Sequence, residues 1–210
     1  MQSRESQNMT DNPRPDSEER PNEVKGGWDD NQTEIGDRLR FEQMISDLSA
    51  RFIDVSSERL DYEIELALKM VLEFFEVDRC GLLEVMPDRD AWKITHVAYS
   101  DHAVPVPKGT ELPRSINPWA FEKLAEKGEP VMFARVDDMP AEARVDKQTW
   151  RDWGIRSNLV IPVFKDKAVV QVIAINAVQT ERVWPEAFIP RLQLLGEIFG
   201  GALERRKVEQ

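Results

Sequence analysis

Arg156 and Ser157 stand directly after a segment that carries Trp150 and Trp153, and Asn117-Pro118 stands directly before Trp119. Arginine presents a planar fork of donors that matches a carboxylate. A helix opening at Asn117 would add unpaired backbone N–H groups at the positive end of its dipole. With Tyr99 and Phe133 as further aromatic walls, these residues define a candidate small-molecule pocket with Arg156 and Ser157 at its mouth. A small anion is the first ligand class such a set suggests. The competing reading is structural: Arg156 pairs with an Asp or Glu, Ser157 caps a turn, and the tryptophans belong to the core.

The other reactive side chains are few. Cys80 is the single cysteine, which leaves no disulfide within the chain and no multi-cysteine zinc site. It falls inside an apolar strand, where a small buried hydrophobe is the usual role, with redox sensing or iron ligation as the alternatives. His96 and His102 are the two imidazoles. Either would serve as one axial ligand to a haem, although a strand histidine is more often a hydrogen-bonded structural residue. Asp137-Asp138 reads as a solvated loop and helix start. No nucleophile motif or glycine-rich phosphate loop appears, so a non-enzyme is expected and no cofactor is named.

The chain has 210 residues and a net charge of -11, with 41% apolar and 32% charged residues. That suits one soluble domain with an appendage. Residues 1–36 hold nine acidic and four basic residues, with Trp28 the one large aromatic among them, and are expected to be a disordered acidic tail. After residue 36 there are 30 acidic and 24 basic residues. Without a basic excess, neither direct nucleic-acid binding nor attachment to an anionic membrane surface is expected. No signal or spanning segment is read near the N-terminus, and the cytoplasm is the expected compartment.

From residue 37 the apolar period predicts a helix to about Val55, then a second, capped at Ser56 or Ser57, to about Phe75. Strands are predicted at "RCGLLEVM" and "AWKITHVAY", with apolar residues at both parities, as in a sheet covered on both faces. Residues 100–116 read as a long loop, followed by a short helix from Asn117-Pro118 to Gly128, a strand at "PVMF" and a helix from Ala141 to Trp153. Next comes the hairpin "SNLVIPVFKDKAVVQVIAINA", in which Pro162 marks an edge, a bulge or a strand end. A final helix runs from Pro185 to about Lys207.

This order, with the text "RFEQMISDLSARFIDV", "VDRCGLLEV", "MPAEARVDKQTWRDWGIRSNLVIPV" and "ERVWPEAFIPRLQLLGEIFGGALERRKVE", resembles a GAF domain over residues 37–207. It is similar to those placed before bacterial histidine kinases or sigma-factor-dependent activators. The resemblance implies an α+β fold: a six-stranded antiparallel sheet with the first, second and last helices on one face, and short helices and loops over a small-molecule pocket on the other. Gln171 departs from a glycine common at that position. The cyclic-nucleotide signature of the family is not met, since Ala177 follows Asn176, and Leu192-Gln193 stands where Asp-Glu would follow Phe188. Asn176 is therefore read as a strand-end residue whose amide serves a turn. The reductases that share the fold need several cysteines.

The resemblance implies a sensory module that couples a small ligand to an output domain. A ligand-free dimerisation and relay module is the alternative, and a haem or iron sensor a further one. Phe188, Leu192, Leu195, Phe199, Ala202 and Arg206 recur at alternating steps of four and three, a heptad seam. With Leu39, Met44, Leu48 and Phe52 of the first helix, this seam predicts a parallel homodimer. An output domain beyond residue 210 is expected if the chain is part of a longer one.

Overall fold

Side chains buried on both faces of the central strands build a three-layer structure, with the sheet in the middle. The computed structural model describes residues 31–209, so Trp28 and most of the expected acidic tail lie outside them. The elements are α1 (Asn31–Ile53), α2 (Leu60–Phe74), β1 (Arg79–Met86), β2 (Ala91–Tyr99), β3 (Glu111–Pro113), α3 (Pro118–Phe121), β4 (Val131–Phe133), α4 (Arg144–Asp152), β5 (Ser157–Lys165), β6 (Ala168–Ala177) and α5 (Ile189–Glu209). All six strands join one antiparallel sheet in the order β3-β2-β1-β6-β5-β4.

Even-numbered β1 residues and odd-numbered β5 and β6 residues point to one face. There Cys80, Leu82, Leu159, Ile161, Val163, Ile173 and Ile175 meet Ile64, Leu68 and Val71 of α2, with α1 and α5 completing the layer. The opposite face carries a second core, in which Trp92, Val160 and Val172 meet Phe121, Leu124 and Trp150 from the α3 and α4 region. The α+β arrangement expected from the resemblance is what the chain forms.

Local departures have local causes. α1 starts at Asn31, ahead of the expected residue 37, because its first turns are polar and carry no apolar period to read. α2 opens at Leu60 without a side-chain cap, and Ser57 instead donates to Glu209. The expected loop 100–116 contains β3, three residues paired to the start of β2. Pro162 sits on β5 beyond the reach of β4, which pairs only with Asn158–Val160. On that stretch β5 pairs with β6 alone, through Pro162 and Val172, and a strand open on one side is where a proline is tolerated. The β5–β6 turn places Asp166 at φ 47° and Lys167 at φ 70°, the left-handed pair of a two-residue hairpin loop.

The expected dimer seam is corrected by the packing. α1 and α5 run parallel within the chain, with Phe41 and Phe188 ring centres 4.7 Å apart and Phe52 and Phe199 5.2 Å apart. Leu48, Phe52, Leu192, Leu195 and Phe199 are buried in this intramolecular contact. A four-three apolar repeat fits any close parallel helix pair, and here the partner of α5 is α1 of the same chain. Met44 is half-buried against the core, and of the expected interface residues only Leu39, 62% exposed, remains open to another molecule.

Candidate functional site

A cavity of about 320 Å³ lies between the sheet and the layer formed by α3, α4 and the loop before β3. Its floor comes from alternate strand residues: Arg79, Gly81 and Leu83 of β1, Asn158 and Val160 of β5, and Val172, Ala174 and Asn176 of β6. β2 contributes Trp92, Ile94, Val97 and Tyr99. That set changes parity because Leu82 pairs with His96 while Leu83 pairs with Ile94, leaving Thr95 as the extra residue of a bulge. Without the bulge, His96 would face the cavity and Tyr99 would not.

Three of the seven expected pocket residues line this cavity: Tyr99, Trp150 and Trp153. Trp119 and Phe133 stand behind them in an aromatic row, with Phe133 5.8 Å from Trp119 and 6.1 Å from Trp150 between ring centres. Arg156 is exposed and is not among the lining residues. It precedes β5, where its backbone is tied to Ala177 and Val136. Ser157 faces the other side of the sheet, where its hydroxyl donates to the Ala134 carbonyl and accepts the Arg182 N–H. Its role is structural.

The arginine of the cavity is Arg79. Its Cζ lies 5.9 Å from the Tyr99 ring centre, and its Nη2 donates to the Val104 carbonyl at 3.4 Å. Burial lowers the guanidinium pKa, while Tyr99 and Asp78 act in the opposite sense. The group stays charged, as arginine does in proteins. Asp78 is committed elsewhere: its carboxylate accepts from Ser100 Oγ and from the N–H groups of Val178 and Gln179. Arg79 and Asn158 escaped the sequence reading. The signal available for them was alternation, since Arg79 shares parity with Gly81 and Leu83, and Asn158 with Val160.

The helix N-terminus expected to attract an anion is already occupied. Asp146 of α4 accepts the N–H groups of Trp119 at 3.1 Å and Ala120 at 2.7 Å. Burial raises the pKa of this carboxyl, and the two backbone bonds pull it back down. Asn117 makes no side-chain cap bond, and its buried Oδ1 has no hydrogen-bond partner among the described residues. Asn176 differs from expectation too: its Nδ2 donates to Asn158 Oδ1 at 2.5 Å rather than to a turn. That leaves Asn158 Nδ2 buried and unpaired, as is Arg79 Nε.

Neither histidine lines the cavity. His96 faces the helix layer, 2.9 Å from Asp61 Oδ1, and His102 is exposed. Cys80 is fully buried among the helix-side residues, and burial pushes its thiol far above the ordinary range. The cavity lining therefore offers no imidazole to a haem iron and no thiol to a covalent ligand. Asp137 and Asp138 pair with Arg151 and Arg135 at the surface.

No match is found among curated protein sequences. Solved structures do resemble the chain. The phycoerythrobilin-bound GAF domain of a cyanobacterial phytochrome matches with a TM-score of 0.65 at 15% identity, over 82% of this chain and 98% of that one. The GAF domain of an Acinetobacter phosphoenolpyruvate-protein phosphotransferase gives 0.62 at 14% identity, over 79% and 93%. A free methionine-R-sulfoxide reductase from Neisseria meningitidis, in complex with its substrate, gives 0.61 at 16% identity, over 81% and 92%. The GAF domain family model matches residues 60–203, from the start of α2 to near the end of α5, and the chain belongs to the GAF domain family.

Proposed function

We propose that the chain is a non-catalytic sensory module that binds a small ligand in the cavity and passes the binding event to an output domain, of the histidine-kinase or transcription-activator kind, through α1 and α5. One observation carries the reading: Arg79 Nε, Asn117 Oδ1 and Asn158 Nδ2 are buried polar atoms without a hydrogen-bond partner among the described residues, and all three belong to cavity-lining residues. Such atoms cost roughly 1–3 kcal/mol each when left unpaired, so a ligand that satisfies them binds with that advantage. The volume of about 320 Å³ falls near the lower end of the range of roughly 300–1,000 Å³ for small-molecule sites.

Two of the similar structures hold ligands, phycoerythrobilin in one and its substrate in the reductase. In this chain Cys80 lies on the opposite face of the sheet, so a ligand in the cavity is held without a thiol. The open cavity also argues against a ligand-free relay, which would be filled by its own side chains. Trp92, Trp150 and Trp153 line the site, so ligand entry should change tryptophan emission. A metabolite panel screened by fluorescence and thermal shift should return at least one saturable binder that raises the melting temperature. A full panel with no binder would sink the proposal.

A further inference from the structure

The sheet register gives the cavity a polar end and an apolar end. Tyr99 pairs with Arg79, Arg79 with Asn176, and Asn176 with Asn158. These four lining residues therefore form one row across β2, β1, β6 and β5. The next row on the same face is Val97, Gly81, Ala174 and Val160, and beyond it Ile94, Leu83 and Val172. Gly81 and Ala174, the two smallest side chains of the floor, are neighbours in the middle of the sheet. They leave a shallow apolar seat, with Trp150 and Trp153 also lining the space.

Charge and hydrogen bonding at the polar end select the ligand. Among the described residues, Arg79 is the one charged side chain in the lining, and no Asp or Glu lines the cavity to neutralise it. Asn176 fixes the Asn158 amide so that its NH₂ group, not its oxygen, is unpaired. Arg79 Nε–H and Asn158 Nδ2 are then two unpaired donors in the same row, with Asn117 Oδ1 as a lone acceptor. A second negative charge would meet mostly apolar side chains at the far end, with Thr110 the one polar residue beside Ile94 and no cation among the described residues, and an unpaired ion is strongly disfavoured there. A flat aromatic body suits a seat flanked by tryptophans.

We propose that the cavity takes a small aromatic monocarboxylic acid, with its carboxylate on Arg79 and Asn158 and its ring over Gly81 and Ala174. This rests on the sensory reading above and adds the ligand class to it. The test is isothermal titration of the full chain with matched probes: indole-3-acetate and benzoate, their neutral amides indole-3-acetamide and benzamide, and the dicarboxylate glutarate. At least one acid should bind, and at least tenfold more tightly than its amide, with glutarate weaker than either acid. Arg79→Gln should weaken acid binding about 10- to 100-fold, the usual cost of losing a charged hydrogen bond, and weaken amide binding by a smaller factor, so that the preference for acid over amide shrinks. Arg79→Lys should restore part of it. Asn158→Asp, which places a like charge beside the carboxylate, should abolish acid binding while the protein still melts cooperatively. Amides binding as well as acids, or glutarate binding best, would overturn the ligand class. So would silence from all five probes while the broader panel yields a binder of other chemistry. Silence in both experiments would remove the sensory reading as well.

Discussion

A Cβ placed on Gly196 would lie 2.2 Å from Cγ2 of Val163, so α5 rests on β5 only because residue 196 has no side chain. Gly196 is also helical and lies between Leu195 and the Phe199 turn, at the centre of the helix-side core. Gly196→Ala gains helix propensity of about 1 kcal/mol, but it must push a packed valine or the whole helix away. The net expectation is a loss of about 1–3 kcal/mol, read as a lower denaturation midpoint at unchanged slope. Val163→Ala in the same background should recover part of it. A more stable Gly196→Ala protein would show that α5 is not seated as described.

The same contact decides which α5 side chains are free to meet a second copy. Because Leu195 is fully buried within the chain, Leu195→Asp is expected to unfold the protein rather than yield a folded monomer. A self-associating face must instead use side chains such as Leu39 and Leu194, which are exposed on α1 and α5. Light scattering of wild type should give twice 24.2 kDa if the sensory unit is a homodimer. Leu39→Asp with Leu194→Asp should halve the mass without lowering the melting temperature. A soluble, cooperatively folded Leu195→Asp protein would contradict the packing, and a wild-type monomer at high concentration would contradict the dimer.

Periodicity located the long helices, both long hairpins and the two-faced sheet because each of those features repeats along the chain. The site was less legible, since it depends on which of two faces a residue takes and on who satisfies whom. The bulge at Thr95 turns Tyr99 toward the cavity and His96 away from it, and nothing in "WKITHVAY" marks the extra residue. Asn117 has the sequence of a helix cap, yet Asp146, 29 positions later, takes that role. Arg156 drew notice because it follows two tryptophans. Arg79 carries no such signal: it lies beside Asp78 in the sequence, yet Asp78 is engaged with Ser100 and the chain after β6.

Tyr99 closes the polar row and also holds the loop above it. Its hydroxyl donates to the Val106 carbonyl at 2.7 Å and accepts the Val106 N–H at 2.8 Å. Val106 lines the cavity, so this two-bond clasp fixes one wall. Tyr99→Phe keeps the ring and removes both bonds, which should cost about 1–3 kcal/mol of loop stability. Amide exchange at Val106 should quicken far more than exchange in β5 or β6. If exchange is unchanged across residues 100–110, the clasp does not hold the loop.

His96 should make stability depend on pH in a window where few other groups titrate. Its ring is buried between β2 and the helix layer, with Nδ1 3.1 Å from Thr95 Oγ1 and Nε2 2.9 Å from Asp61 Oδ1. That same Asp61 oxygen accepts from Arg206 at 2.7 Å, so the cluster joins β2, α2 and the last turns of α5. Burial holds the His96 pKa below 6.5. The hydrogen bond and charge of Asp61 oppose that shift, Lys108 adds to it, and Glu65 opposes it weakly. The unfolded chain therefore takes up this proton first as pH falls. Stability is fully present above the unfolded value and is lost as pH drops through 6.5 toward the folded value, at up to about 1.4 kcal/mol per pH unit. At Asp61, burial acts to raise the pKa, but His96 and Arg206 together hold it below 3.8, so its own contribution is lost only at still lower pH. Denaturant titrations at pH 7.5, 6.5 and 5.5 should show wild type losing stability stepwise, and His96→Asn, with no proton to take up, should be flatter over the same range. Parallel profiles for the two proteins would mean that His96 does not titrate below its unfolded value in the native state.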